Sequence, residues 1–145
     1  MQIKLIQDDF EPLTELQEYQ QQLLHLHGKY GAMANFIGTM RDYNEDKKTT
    51  KMFLEHYPGM TEKQLEKIAN EATTKWPILD CMVLHRVGMI KPNDAIVLVA
   101  VWSAHRAAAF DACRFIMEQL KTRAPFWKRE TTASGKHWVE KNTPE

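Results

Sequence analysis

A chain of 145 residues suits one domain with enough length for a real core. Lysine plus arginine equals aspartate plus glutamate at 19 each, so no global field draws nucleic acid, and any anion site must come from local clustering. No stretch approaches the roughly 18 apolar residues of a membrane span, and the first ten residues carry early acids where a secretory signal has an apolar core. Cys81 and Cys113 form no CxxC pair and have no metal-ligand spacing, so they read as buried thiols of a reducing, cytoplasmic compartment.

In chain order, residues 2–7 alternate weakly and predict a short first strand. Asp8 or Asp9 is placed to cap a helix entered through Pro12, proline being tolerated in the first turn. Leu13, Leu16, Tyr19, Leu23 and Leu26 mark its apolar face before Gly28 and Gly31 bracket the exit. Ala32 to Arg41 alternates with both faces largely apolar, which predicts a central strand. Gly38 within it points to close approach of another backbone or a ligand. Arg41 either ends that strand plainly or reaches a ligand from its tip. A polar loop follows over 42–50, where Lys47 and Lys48 read as solvated charges.

Residues 51–57 predict another strand, and Pro58-Gly59 a turn. Thr61-Glu62-Lys63-Gln64 fits a capping box, with Met60 and Leu65 as its hydrophobic staple. Leu65, Ile68, Ala69, Ala72 and Trp76 continue that helix to Pro77. Two strands come next, over 78–87 and 95–102, joined through Asn93-Asp94 turn chemistry. The second is a nearly unbroken apolar run, hence covered on both faces. His85 and Arg86 read as half-exposed packing residues.

Ser103 to Lys128 organises the chemistry. Ser103 is a plausible N-cap, and His105 and Arg106 follow where free helix amides already favour an anion. A charge-balancing helix would carry acids there instead. Phe110, Cys113, Met117 and Leu120 recur at helical spacing as the buried stripe. Arg114 and Lys121 are seven apart and project from similar angles. Pro125 stops the helix, so Phe126-Trp127-Lys128 leaves as extended chain and a rigid corner holds two lysines near one another. Beyond it, a Thr-Thr-Ala-Ser-Gly turn and Lys136-His137-Trp138-Val139 predict a small hairpin, with a polar tail from about residue 140.

No Ser/His/Asp order, Walker loop, GxGxxG or HExxH motif is present, and the scattered histidines argue against zinc. What remains is a set of fixed cations, Arg41, His105, Arg106, Lys121 and Lys128, with Arg114 as a further member. Such a set suits a phosphorylated or carboxylated small molecule. Two ammonium groups in one pocket disfavour each other's charge, and burial by Phe126 and Trp127 adds to this. Lysines so placed act as catalysts when their pKa falls far enough, or as an anion clamp when it does not. Composition leaves both open.

The blocks Phe36 to Arg41, Leu54-Glu55-His56-Tyr57, His85-Arg86-Val87-Gly88, Ser103-Ala104-His105-Arg106, and Leu120-Lys121 through Pro125-Phe126-Trp127-Lys128 together resemble the large, catalytic subunit of molybdopterin synthase. The resemblance runs from about residue 2 to residue 140. One departure is Asn93-Asp94, where the family's turn carries glycine before an acid; Asn tolerates the left-handed conformation nearly as well. The resemblance implies a sulfurtransferase that converts cyclic pyranopterin monophosphate to molybdopterin. The sulfur arrives on the C-terminal Gly-Gly thiocarboxylate of a small ubiquitin-like partner subunit, and the large subunits form a homodimer within a heterotetramer. It makes Lys121 and Lys128 the essential lysines. Lys121 takes an acid/base or tail-engaging role, and Lys128 positions substrate and tail. Arg41, His105 and Arg106 would hold phosphate and pterin, some from a neighbouring subunit, with Phe36 and Met117 as apolar walls. Cys113 is then helix packing, and neither metal nor cofactor is called for. Two other classes remain: a phospho-ligand binding module without chemistry, and an assembly subunit for a ubiquitin-like protein. The expected fold is α+β, a mixed, mainly antiparallel sheet with three helices and a small C-terminal hairpin; the resemblance makes it α/β-hammerhead-like.

Overall fold

The computed structural model describes residues 1–44, 47–132 and 135–138. In chain order the elements are β1 (Gln2–Ile6), α1 (Pro12–Gln21), a 3₁₀ turn (Leu24–Leu26), β2 (Ala32–Thr39), β3 (Tyr43–Asn44), β4 (Lys47–His56), α2 (Met60–Lys75), β5 (Ile78–Arg86), β6 (Gly88–Ile90), β7 (Ala95–Ser103), α3 (Arg106–Arg123), β8 (Phe126–Thr132) and β9 (Gly135–Trp138). The three helices and mainly antiparallel pairing are the expected α+β arrangement, but the strands divide over two sheets rather than one. The first has the order β1-β5-β7-β2, with only the β1–β5 pair parallel. In the second, β4 pairs with β3, β6 and β8, and β8 with β9. No described helix is long and apolar enough to cross a membrane.

Alternation along β5 and β7 builds two cores from one sheet, since neighbouring residues of a strand face opposite sides. Cys81, Val83, Val99 and Val101 meet Leu65 and Ile68 of α2 and Ala112 and Ile116 of α3. Met82, Leu84, Leu98, Ala100 and Trp102 meet Leu16 and Tyr19 of α1. A third cluster, Met40, Met52, Leu54 and Ile90, lies against the second sheet. Ile96 and Phe126 pack against both the first cluster and the third, and so tie the sheets together.

Several local expectations change. β2 is an edge strand, not a central one. The close approach at Gly38 comes from the paired strand, where a Cβ would sit 2.9 Å from Val97 Cγ1. The loop expected over 42–50 contributes β3 and the start of β4. Neither Asp8 nor Asp9 caps α1; its N-cap is Glu11, without a side-chain bond, and Asp9 accepts from Arg86 instead. Leu13 is exposed, and Leu23 and Leu26 come from the chain after α1. α2 is N-capped by Gly59, whose N–H donates to Glu62 Oε1 at 3.0 Å, two residues before the expected cap. α3 starts at Arg106 with His105 as N-cap; Ser103 ends β7, fully buried, its hydroxyl donating to the His105 carbonyl. Phe110 points outward, and the buried stripe runs through Ala109, Ala112, Cys113, Ile116, Met117 and Leu120. His85 and Arg86 are buried rather than half-exposed. Asn93 does adopt the left-handed conformation, at φ 75°. The hairpin is present as β8 and β9. Its turn at 133–134, the tail and the Lys47 and Lys48 side chains lie outside the described residues.

Candidate active site

The corner after α3 is set by hydrogen bonds as well as by Pro125. The Ala124 N–H donates to the Leu120 carbonyl at 3.3 Å, closing the last helical turn. Thr61, fully buried in the first turn of α2, accepts from the Tyr57 N–H at 2.9 Å and donates to the Pro125 carbonyl at 3.2 Å. One hydroxyl therefore joins the end of β4, the start of α2 and the turn into β8.

β8 then runs antiparallel to β4, with Phe126 opposite His56, Lys128 opposite Leu54 and Glu130 opposite Met52. Its alternation turns Phe126, Lys128 and Glu130 to one face and Trp127 and Arg129 to the other. The outward residues form an aromatic surface: Trp127 lies 6.5 Å from Tyr57, and the Arg129 guanidinium covers the rings of Phe53 and Trp138. The inward face is apolar, with Leu54 and Met52 buried beside Lys128. Burial accordingly lowers the Lys128 ammonium below its ordinary 10.5, and the Lys121 charge lowers it further, against the Glu130 carboxylate.

Lys121 is half-buried in the last turn of α3, four residues beyond the buried Met117 and so on the same side of the helix. Burial lowers its pKa too; Glu118 opposes the shift and the Arg41 guanidinium adds to it. The corner thus brings Lys121 and Lys128 into one electrostatic field, and Arg41, exposed just past β2, joins them. The turn that carries Asn93 exchanges backbone bonds with Met40, which seats Arg41 at this end of the sheet.

The other expected residues are spread more widely. Phe36 is 44% exposed in the middle of β2. Met117 packs in the core between α3 and the first sheet. Arg114 is 72% exposed, its Nε 3.8 Å from Glu118. His105 and Arg106 are exposed at the opposite end of α3. Fifteen residues of helix at 1.5 Å each put Arg106 about 22 Å from Lys121 along the axis. A groove of about 640 Å³ between α2 and α3, lined in part by Lys67, Glu71, Phe115 and Arg123, is separate from the lysine pair. Arg123 is two residues past Lys121, roughly 200° around the helix.

Three neighbours of the pair escaped the sequence reading. Glu130 is buried two residues along the strand from Lys128, a spacing that places both on one face. His85 is buried on the face of β5 that carries Cys81 and Val83, stacked on Phe126 at 4.1 Å with 14° between the ring planes. Burial pushes its imidazolium down to about 4; the bond to the Arg86 carbonyl opposes this, and the Lys128 and Lys121 charges add to it. Thr61 is the third, and its capping signature concealed a tertiary role.

Residues 9–123 match the family model described as MoaE protein. The chain belongs to the MoaE family. It is 51% identical over 140 residues to the molybdopterin synthase catalytic subunit of Pseudomonas aeruginosa, covering 97% of this chain and 91% of that one. The solved MoaE protein of Burkholderia ambifaria is 46% identical, with a TM-score of 0.80 over 99% of this chain and 92% of its own. Molybdopterin synthase of Staphylococcus aureus is 29% identical, with a TM-score of 0.85 over 97% and 98%. Lys121 falls inside the matched MoaE span and Lys128 just beyond it.

Proposed function

We propose that the chain, as a single cytoplasmic domain, converts cyclic pyranopterin monophosphate to molybdopterin. The sulfur comes from the C-terminal thiocarboxylate of a small ubiquitin-like partner. Family membership and the relatives named molybdopterin synthase support this reading. The observation that carries it is the pair of half-buried lysines, both lowered in pKa, on an apolar shelf beside Arg41. A cyclic phosphate and a thiocarboxylate are both anions, and a desolvated cation pair binds them more strongly than exposed lysines would. A lowered pKa also makes one amine easier to deprotonate than an exposed lysine. Lys121 takes the acid/base role and Lys128 positions the tail against the substrate. Arg41 holds phosphate from the same side.

His105 and Arg106 complete the phosphate and pterin contacts from a second copy of the chain, because the length of α3 keeps Arg106 away from Lys121 within one copy, and Arg114, about two turns before Lys121, adds a further cation. Phe36 and Met117 supply apolar walls. The assembly is a homodimer of this chain carrying two small partners. The test mixes purified chain, thiocarboxylated partner and cyclic pyranopterin monophosphate and measures dithiolene product. Product from the native chain, and none from Lys121→Ala or Lys128→Ala, is the expected result. Full transfer by both variants would overturn the proposal.

A further inference from the structure

The geometry points to His85 as a positioning residue of this centre, a ring clamped between the Arg86 carbonyl and Phe126 that fixes the seat of the Lys121–Lys128 pair. The inference rests on the proposed sulfur transfer for its meaning, but not for its test. Nδ1 lies 2.7 Å from the Arg86 carbonyl oxygen. A carbonyl only accepts, so Nδ1 carries the hydrogen and Nε2 keeps the lone pair. The ring's other constraint is the parallel stack on Phe126, the first residue of β8 and two before Lys128. A side chain held at both edge and face has little freedom to rotate, and the strand it supports starts at the corner that sets Lys128. The lysines carry donors only, so an uncharged ring with one acceptor is a neighbour that adds no repulsion to the pair.

The charged and titratable groups around His85 come from several elements. Lys121 of α3 and Lys128 of β8 act on it directly, while Glu118 and Arg41 act on Lys121 and Glu130 acts on Lys128. His56 of β4 lies across from Phe126. Leu5 and Val97, the cross-strand neighbours of His85 on β1 and β7, are apolar. Within this set, a His85 that stays neutral adds no third positive charge beside the two lysines. Its depressed pKa is the state this arrangement calls for.

Three measurements test the inference. In native chain labelled with ¹⁵N-histidine, His85 should show the Nδ1–H tautomer at pH 7; an Nε2–H tautomer or an imidazolium would overturn the proposal. Trace acetylation read by mass spectrometry gives the pH at which each lysine becomes reactive. His85→Phe keeps the stack but removes both ring nitrogens, and should move the Lys128 midpoint down by about half a unit or more; His85→Gln keeps an acceptor and should leave it nearer the native value. The acid limb of sulfur transfer should follow in the same direction, with kcat down about tenfold and the KM for the partner little changed. Folded variants that lose only thermal stability, with midpoints and acid limb at native values, would reduce His85 to packing and sink the inference. Absence of sulfur transfer by the native chain would instead sink the functional reading, while tautomer and labelling still decide His85.

Discussion

Thr61→Val isolates the contribution of the corner, because valine matches threonine in shape and lacks only the hydroxyl. The native hydroxyl accepts from the Tyr57 N–H and donates to the Pro125 carbonyl, in a position with no solvent exposure. Each lost bond costs about 1 kcal/mol net, and a donor left unpaired in the interior costs about 1–3 kcal/mol. Pro125 is itself half-exposed, so water offsets part of the loss at its carbonyl and the sum is about 2–3 kcal/mol. For a domain of this size that corresponds to a fall in Tm of about 5–10 °C. Urea unfolding of native, Thr61→Val and Thr61→Ser chains measures it, with serine as the control that keeps the hydroxyl. Sulfur transfer should fall in the valine variant below the unfolding range, because the turn that delivers Lys128 has lost its anchor. A valine variant within about 0.5 kcal/mol of native, or a serine variant as weak as valine, would refute the reasoning.

Lys128→Met should abolish sulfur transfer yet raise stability at pH 7. A lysine whose folded pKa lies below 10.5 binds fewer protons folded than unfolded, so its penalty is full below the folded pKa and disappears as pH rises through 10.5; denaturation at pH 7 and above 10.5 checks the trend. His85 has the same sign at lower pH, its folded value near 4 costing stability as pH falls from 6.5, by at most about 3 kcal/mol; His85→Phe should flatten that acid loss in urea midpoints taken at pH 7 and pH 5. Leu54→Ala, at a side chain 1% exposed opposite Lys128, should cost about 2–5 kcal/mol by calorimetry. Mixing Arg106→Ala chain with Lys121→Ala chain should restore about a quarter of native activity, since half of randomly paired dimers keep one intact site. No recovery after verified exchange would place both residues in the same copy's site.

What the sequence made legible was local. Strand and helix positions followed from alternation and from Pro12, Pro77 and Pro125, and the lysine pair followed because the proline corner lies within eight consecutive residues, Lys121 to Lys128. Errors arose where one residue type serves two purposes. Ser103 reads as a cap because its hydroxyl bonds nearby backbone, and it does so, but at the end of a strand. Thr61 reads as a cap while its hydroxyl is taken up by Tyr57 and Pro125. Phe110 drew the helical stripe toward itself, because Ala109 and Ala112, the true centre of the buried face, carry little hydrophobic weight. β2 reads as central because Ala34 faces one core and Met33 and Ile37 the other, though no strand pairs with its far side among the described residues. His85 and Glu130 were missed because their importance comes from Phe126, Lys121 and Lys128, contacts that no local pattern announces.

Leucine, methionine and phenylalanine form the floor on which Lys128 stands, and an amine is the wrong tenant for such a floor. Any lineage freed from the need to make product would fold better after exchanging that lysine for an oily residue, so drift alone would erase it. Wherever a descendant of this chain still carries both amines, selection for chemistry has been opposing selection for a sturdier fold.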